Sequence, residues 1–377
     1  MNSLGMVYGN GMLLALVLIE AMIIKFKLKK ELPIKELVMN LNSGHVLLWV
    51  FRSLEVAAYA FTLNYISTKW LVNVPYFLIW VIAFFLWDFM FYWLHRTHHH
   101  WKWLWVVHVV HHEGEHFSLS LGIRNSWYSS LTSFPYFFIL AFLGIPTEVF
   151  IAVSSFHYFV QFYNHNHLVK NSGWLEKLLV TPAHHKVHHG KNDPYIDKNF
   201  GGTFILWDKL FGTFQQEEKN NPVQIGIDEI VDSNNPVFVN NVPLIKKIIP
   251  GYNFNLHKNQ ISVPNSFIVI GTIMLFMLLL NFIYFEHSLT SFYYIFLFFT
   301  IFIGTIAIGL LLDGKLIGTL ALAISTIFAP LYLWVNFPNP NAFFLITLTV
   351  YSTHGILTLF YLLFSWKSNF RKKIAES

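Results

Sequence analysis

His95-Arg96-Thr97-His98-His99-His100, followed by His108-Val109-Val110-His111-His112 and later by His184-His185-Lys186-Val187-His188-His189, decides how this chain is read. Fifteen of its 19 histidines fall between residues 95 and 189. Packing alone does not call for so many imidazoles in a quarter of a chain. His95 and His99 are four apart, so on a helix they share a face. His108, His111 and His112 stand at i, i+3 and i+4, and His185, His188 and His189 repeat that pattern. Eight imidazoles in three helical clusters, in a chain without cysteine, describe an all-nitrogen metal site. Imidazole suits iron, zinc, copper and nickel, so ligand type does not choose the metal. The count points to two ions, because one first-row ion takes about six ligands at most.

The surrounding chain is apolar. Of 377 residues, 55% are hydrophobic and 12% charged, against about 25% charged in soluble domains. Mean hydropathy is +0.48. This is the composition of a membrane protein. Aromatic residues make up 18%, with 39 Phe, as lipid-facing helices with interfacial Trp and Tyr require. The absence of cysteine excludes disulfides and thiolate ligands. A net charge of +5 is explained by lysines beside membrane spans and calls for no nucleic acid.

The apolar runs divide the chain into N-terminal membrane spans (1–70), a histidine-box di-metal domain (71–260) and a C-terminal four-helix membrane region (261–377). The first run, Leu4 to Ile24, precedes Lys25, Lys27, Lys29, Lys30 and Lys35. A signal peptide would carry its basic residues before the run, so this reads as a retained span. His45 to Ile66 is a second span, in which Arg52 and Glu55 pair within the helix. Val74 to Leu94 is a third, of about the 20 residues a crossing needs. Leu131–Leu143 and Thr147–Gln161, separated by Gly144 and Pro146, read as a hairpin that does not cross. Ser266–Phe285, Ser291–Leu312, Leu316–Val335 and Ala342–Phe364 are four further spans. With the early lysines on the cytoplasmic side, every histidine cluster reaches that face. The expected fold is an all-α, polytopic integral membrane protein with a cytoplasm-facing histidine-box metal centre.

Asp88-x-x-x-Tyr92-Trp93-x-His95-Arg96-x-x-His99, the box ending at His112, and Thr181-Pro182-Ala183-His184 through Gly190 resemble the three motifs of the fatty acid hydroxylase and sterol desaturase superfamily. Ile196-Asp197-Lys198-Asn199-Phe200-Gly201-Gly202 and Trp207-Asp208-Lys209-Leu210-Phe211-Gly212-Thr213-Phe214 narrow the likeness to its alkylglycerol monooxygenase branch. Gln161 through His165 and Gly309 through Asp313 are similar as well. The pattern departs at His100 and Ser118, where animal members carry Glu and Asn. The resemblance implies a membrane di-iron monooxygenase that takes lipid from the bilayer. It would use O2 and an electron donor, a reduced pterin such as tetrahydrobiopterin or a redox protein. Hydroxylation of the ether-adjacent carbon would give a fatty aldehyde and glycerol. The resemblance adds His165 to the ligands, and His184 stands as a further candidate. Zinc can replace iron in a purified sample.

Three carboxylate or guanidinium groups are candidates for catalysis. Asp88 lies two turns before His95, where it either accepts the other ring N–H of a ligand or pairs with Arg96. Glu115 and Arg124, which the resemblance keeps, either meet a head group or pterin or form a plain ion pair. His98 and His100 lie off the ligand face, and His116, His157 and His167 carry no assignment. His112-Glu113-Gly114-Glu115-His116 matches the H-E-x-x-H of zinc proteases, but Gly114 disfavours a helix and the other boxes would stand idle. A transporter would place its ligands in mid-span, whereas these sit at span ends. Hydroxylation or desaturation of a sterol, fatty acyl or carotenoid chain is the rival within the superfamily.

Overall fold

Uninterrupted apolar runs become helices in this computed structural model, which describes residues 3–43, 46–254, 261–286 and 288–375. In chain order they are α1 (Ser3–Met22), prolonged by a π turn at Ile23–Lys27, α2 (Ile34–Ser43), α3 (Val46–Tyr65) and α4 (Tyr76–His100). Next come α5 (Lys102–His112), α6 (Ser129–Leu143), α7 (Thr147–Tyr163), a 3-10 turn at Gly173–Lys177, α8 (Pro182–His188), α9 (Leu206–Leu210) and α10 (Pro236–Ile248). The C-terminal region holds α11 (Asn265–Phe285), α12 (Ser291–Leu312), α13 (Ile317–Ala323), a second π turn at Ile324–Phe328, α14 (Ala329–Asn336) and α15 (Ala342–Ala375). Among the described residues there is no strand, only isolated bridges such as Leu179 with Phe204 and Gly190 with Ile225.

Six of these helices are long and apolar enough to cross a membrane: Leu4–Lys27, Tyr76–His100, Asn265–Phe285, Ser291–Leu312, Ile317–Asn336 and Ala342–Ser365. They coincide with six of the seven expected spans. The seventh, expected from His45, begins outside the described residues and forms α3, which is not among the six. Arg52 pairs with Glu55 at 2.5 Å within the helix, and Glu55 accepts a hydrogen bond from Ser133 of α6 at 2.7 Å.

The expected hairpin is α6 and α7, turned at Gly144, whose φ of +98° a glycine adopts readily. Both α3 and α4 pack against it around Tyr59, Trp87, Phe137 and Phe150, all fully buried. Its tip is bonded to α3 and to the α3–α4 connection: the Thr68 N–H donates to the Phe142 carbonyl at 2.9 Å and the Tyr59 hydroxyl to that of Ile145 at 3.0 Å. The hairpin therefore turns back where α3 meets α4 and returns the chain to the end where α4 finishes. A second core joins α11, α12 and α15, and α1 and α2 pack on α11. Asp313, just after α12, accepts from the Asn234 N–H at 2.6 Å and fastens the lead into α10 to this core.

Two helices escape the hydropathy reading. Leu37 through Ser43 of α2 are all buried, but Asn40, Asn42 and Ser43 interrupt the apolar pattern. In α10, Pro236 and Pro243 resemble loop punctuation; Pro236 instead occupies the tolerated first helical position, behind the capping side chain of Asn235.

Candidate metal centre

Nine histidines converge where α4 ends and the hairpin returns. His95, His99, His108, His112 and His188 form one group, and His111, His165, His185 and His189 a second. Within each group the ligand-capable nitrogens all lie within 4.8 Å of one another. The two H-x-x-H-H boxes are shared between the groups in opposite senses. In α5 the i, i+4 pair His108 and His112 serves the first group and His111 the second. At α8 the i, i+4 pair His185 and His189 serves the second and His188 the first. His112 and His189, one from each group, stack with ring centroids 4.5 Å apart.

The Nε2 atoms face one another at bonding-polyhedron distances. His95 to His108 is 3.0 Å, His108 to His112 is 3.2 Å and His112 to His188 is 3.1 Å. In the second group His165 lies 3.2 Å from His111, 3.0 Å from His185 and 3.2 Å from His189. Nitrogens about 2.1 Å from a common ion are separated by about 3.0 Å in an octahedron and about 3.4 Å in a tetrahedron. Proton placement strengthens this. The Nδ1 atoms of His95, His111, His165 and His188 face the carbonyls of Phe200, Arg124, Gln161 and Lys198 at 2.8–2.9 Å. A carbonyl only accepts, so each Nδ1 carries the proton and each neutral ring turns a bare Nε2 lone pair inward. His111 and His165 thus oppose two lone pairs at 3.2 Å, an arrangement that repels unless a cation lies between them. The residues fit a metal in both groups.

The rings are held neutral, as ligation demands. Burial, reinforced by neighbouring imidazoles, drives His108, His112, His185, His188 and His189 far below the ordinary histidine range. Burial takes His111 down to about 4. Neither group contains a carboxylate. The nearest support of that kind is Asp197, whose Oδ1 lies 3.1 Å from the Nδ1 of His99.

Carboxylates instead order the loops that reach the rings. Asp208 accepts the N–H groups of Phe200 and Gly201 at 2.7 and 2.8 Å and the Thr213 hydroxyl at 2.7 Å. That fixes the carbonyl to which His95 donates. Asp88 is fully buried and accepts the N–H groups of Thr203 and Phe204 and the indole N–H of Trp207 at 2.8–3.1 Å. Both expected pairings of Asp88 are corrected: His95 leans on Phe200, and Arg96 donates to the Tyr92 hydroxyl at 3.1 Å. A side chain at residue 202 would collide with this clamp, for a Cβ there would stand 2.7 Å from the Phe91 ring and 3.1 Å from Asp88. Asp208 had no assigned role in the sequence reading. Its signal was a lone acid in the Trp207–Phe214 motif, close behind Gly201 and Gly202.

Arg124 follows the ion-pair alternative, with Glu113 rather than Glu115 as its partner. It is buried against Glu113 at 2.8 Å and donates to the Val110 carbonyl, so it supports box two from behind. Burial raises the Glu113 carboxyl to about 7, while Arg124 and the Val231 N–H pull it the other way. This engagement of Glu113, together with the pairing of His116 to Glu36, breaks up the apparent protease motif. Glu115 is exposed and lines a cavity of about 430 Å³ with Ile24, Lys30, Leu37, Phe117 and Lys186. The Phe117 ring separates that cavity from the second group, 5.7 Å from His165 and 5.8 Å from His189.

The remaining histidines among the described residues lie outside both groups. The ring nitrogens of His98 face the Leu94 carbonyl and the Thr132 hydroxyl, at 2.8 and 2.9 Å. His157 bonds Thr203 and the Phe84 carbonyl, and His100 the Arg96 carbonyl. His184 rests against Phe214, with its Nδ1 3.5 Å from the Thr181 hydroxyl. His167 lines the cavity.

Residues 80–213 match the fatty acid hydroxylase family. Alkylglycerol monooxygenase of Homo sapiens is 38% identical over 192 residues, 50% of this chain and 42% of that protein. The Danio rerio enzyme of the same name is 39% identical over 171 residues, 45% of this chain and 37% of its own. An ornithine lipid hydroxylase of Rhizobium tropici is 28% identical over 170 residues, 44% and 50% of the two chains. The matches thus span half or less of each relative's length. No solved structure matches the chain. The motifs, their convergence and these likenesses agree: residues 80–213 of the chain are similar to the fatty acid hydroxylase family.

Proposed function

We propose that this chain is a membrane monooxygenase in which each histidine group holds one iron ion, and that it oxidises the ether-adjacent carbon of an alkylglycerol. The observation that carries the metal assignment is the set of inward lone pairs on His95, His111, His165 and His188, fixed by backbone carbonyls. The substrate assignment rests on the likeness to alkylglycerol monooxygenases. When bound, the iron pair supplies the activation of O2 that breaking a C–H bond requires. The balance is ether lipid, O2, two electrons and two protons giving a hemiacetal and water. The hemiacetal then collapses to a fatty aldehyde and glycerol. A reduced pterin is the electron donor in this reading.

The chain's own residues orient and exclude. The imidazoles bring no fixed negative charge. Asp88 and Asp208 act as positioning residues, because they set the loop that aims His95. The cavity beside Phe117 takes the polar head, with Glu115 and Lys30 at its wall and Ile24 and Leu37 beside the tail. Lys30 follows the first span and shares this cavity with Lys186 of the third box, which supports, through the positive-inside rule, a centre on the cytoplasmic face. Aldehyde release from alkylglycerol by purified, iron-loaded protein with reduced pterin, compared under air and argon, tests the reading. Release that stops under argon is expected; equal release would mean hydrolysis. Oxygen-dependent turnover of sterol or fatty acid with alkylglycerol untouched would overturn the substrate and leave the metals standing.

A further inference from the structure

Beside the centre, two short turns expose an apolar surface that does not belong to any span. The 3-10 turn at Gly173–Lys177 and α9 are joined through their flanking segments: the Val180 N–H donates to the Thr203 carbonyl at 2.8 Å and the Ile205 N–H to that of Leu178 at 3.1 Å. Trp174 is 69% exposed, Leu178 56%, Leu206 55% and Leu210 65%. At five residues each, the turns are far too short to cross a bilayer. Their surface continues that of α4. Phe204 stacks on Phe85 at 5.2 Å, Trp207 meets Phe89 at 5.0 Å and Phe211 meets Trp93 at 5.0 Å. α4 is one of the membrane-crossing candidates, and Phe85 is itself exposed on it. Lys177 and Lys209 edge the surface, linked by a 2.8 Å hydrogen bond from the Lys209 amine to the Lys177 carbonyl. Tryptophan, leucine and lysine together are the composition of a segment lying in the headgroup layer.

We propose that these two turns form a bilayer-docking platform, with Trp174, Leu178, Leu206 and Leu210 entering the interfacial layer of the leaflet beside α4. The platform leads directly into the ligand-bearing segments. Val180 precedes α8 and its histidines, and Thr203 follows the Phe200 carbonyl that holds His95. Lipid contact would therefore brace the loops that shape the centre. The inference rests on α4 crossing the membrane and not on the reaction assigned to the histidines.

The test uses the full chain, which has no native cysteine, in nanodiscs of phosphatidylcholine and phosphatidylglycerol. Single-cysteine variants Leu178→Cys, Leu206→Cys and Leu210→Cys carry an environment-sensitive fluorophore. Val81→Cys on α4 is the membrane control and Lys219→Cys the aqueous one. Nitroxide-labelled lipid should quench the platform sites at least half as strongly as Val81, and aqueous iodide should quench only Lys219. Iodide quenching at the platform without lipid quenching would overturn the proposal. So would shielding from both quenchers, which would mean that protein covers the surface. Unchanged thermal unfolding of each labelled variant ensures that the folded chain is read.

Discussion

Replacing Asp208 by alanine should loosen the metal centre from outside it. The carboxylate touches no imidazole; its three bonds hold the loop at Phe200 and Gly201. In Asp208→Ala, two buried backbone donors lose their acceptor. Each costs about 1–3 kcal/mol when left unsatisfied, so the loop is destabilised by about 2–6 kcal/mol. Part of that reaches His95, because the Phe200 carbonyl fixes its tautomer and aim at 2.9 Å. Losses of support of this kind lower metal affinity about 10- to 100-fold. The assay is competition with a graded chelator, with bound metal counted by mass spectrometry and folding followed by thermal shift. The five-histidine group should lose its ion first, leaving about one ion of two. Asp208→Asn keeps one acceptor oxygen and should fall between parent and alanine. A folded Asp208→Ala protein that holds both ions against chelator as tightly as the parent would refute the coupling.

Three further outcomes are expected. His165→Ala leaves the four-histidine group one nitrogen short and should roughly halve bound metal, whereas His184→Ala, outside both groups, should leave metal content unchanged. Arg124→Ala strands the Glu113 carboxylate in a buried site and should cost about 3–5 kcal/mol; Glu115→Ala, on an exposed residue, should change thermal stability by less than about 0.5 kcal/mol. Gly202→Ala forces a Cβ against Phe91 and Asp88 and should cost about 1–3 kcal/mol. At Gly212, where φ is +72° and the space is open, alanine should meet only the backbone strain of about 1–2 kcal/mol, and denaturation of both variants reads the two costs.

The spans and the boxes were legible because each depends on neighbours in the chain: hydrophobic runs, and imidazoles one turn apart. How the boxes divide was not. Residues at i+3 and i+4 fall on one helical face, and the rotation of α5 against α8 sends His111 one way and His112 the other. Partners distant in sequence were equally hidden. Asp88 receives its hydrogen bonds from residues 115 to 119 positions later, so proximity to His95 suggested the wrong acceptor. Arg124 pairs with Glu113 rather than Glu115: Glu113 caps the end of α5 and is buried, whereas Glu115 lies beyond the helix and is exposed. In α2, two of the polar residues that broke the hydropathy signal make hydrogen bonds in the interior: Asn40 donates to Ser120 and the Ser43 hydroxyl to the Asn40 carbonyl, each at 3.0 Å.

The four ring-anchoring carbonyls belong to Phe200, Arg124, Gln161 and Lys198, whose side chains have nothing in common. What each position contributes is a peptide oxygen, which every amino acid possesses. Selection on the anchors therefore acts on chain trajectory, and drift in residue type at Lys198 or Gln161 can pass without changing the tautomer of the ring above. Within such a lineage the ligands would stay constant while their supports varied freely in identity. Retuning the centre would then proceed by insertions, deletions and glycine changes in the loops rather than by exchange of contacting side chains.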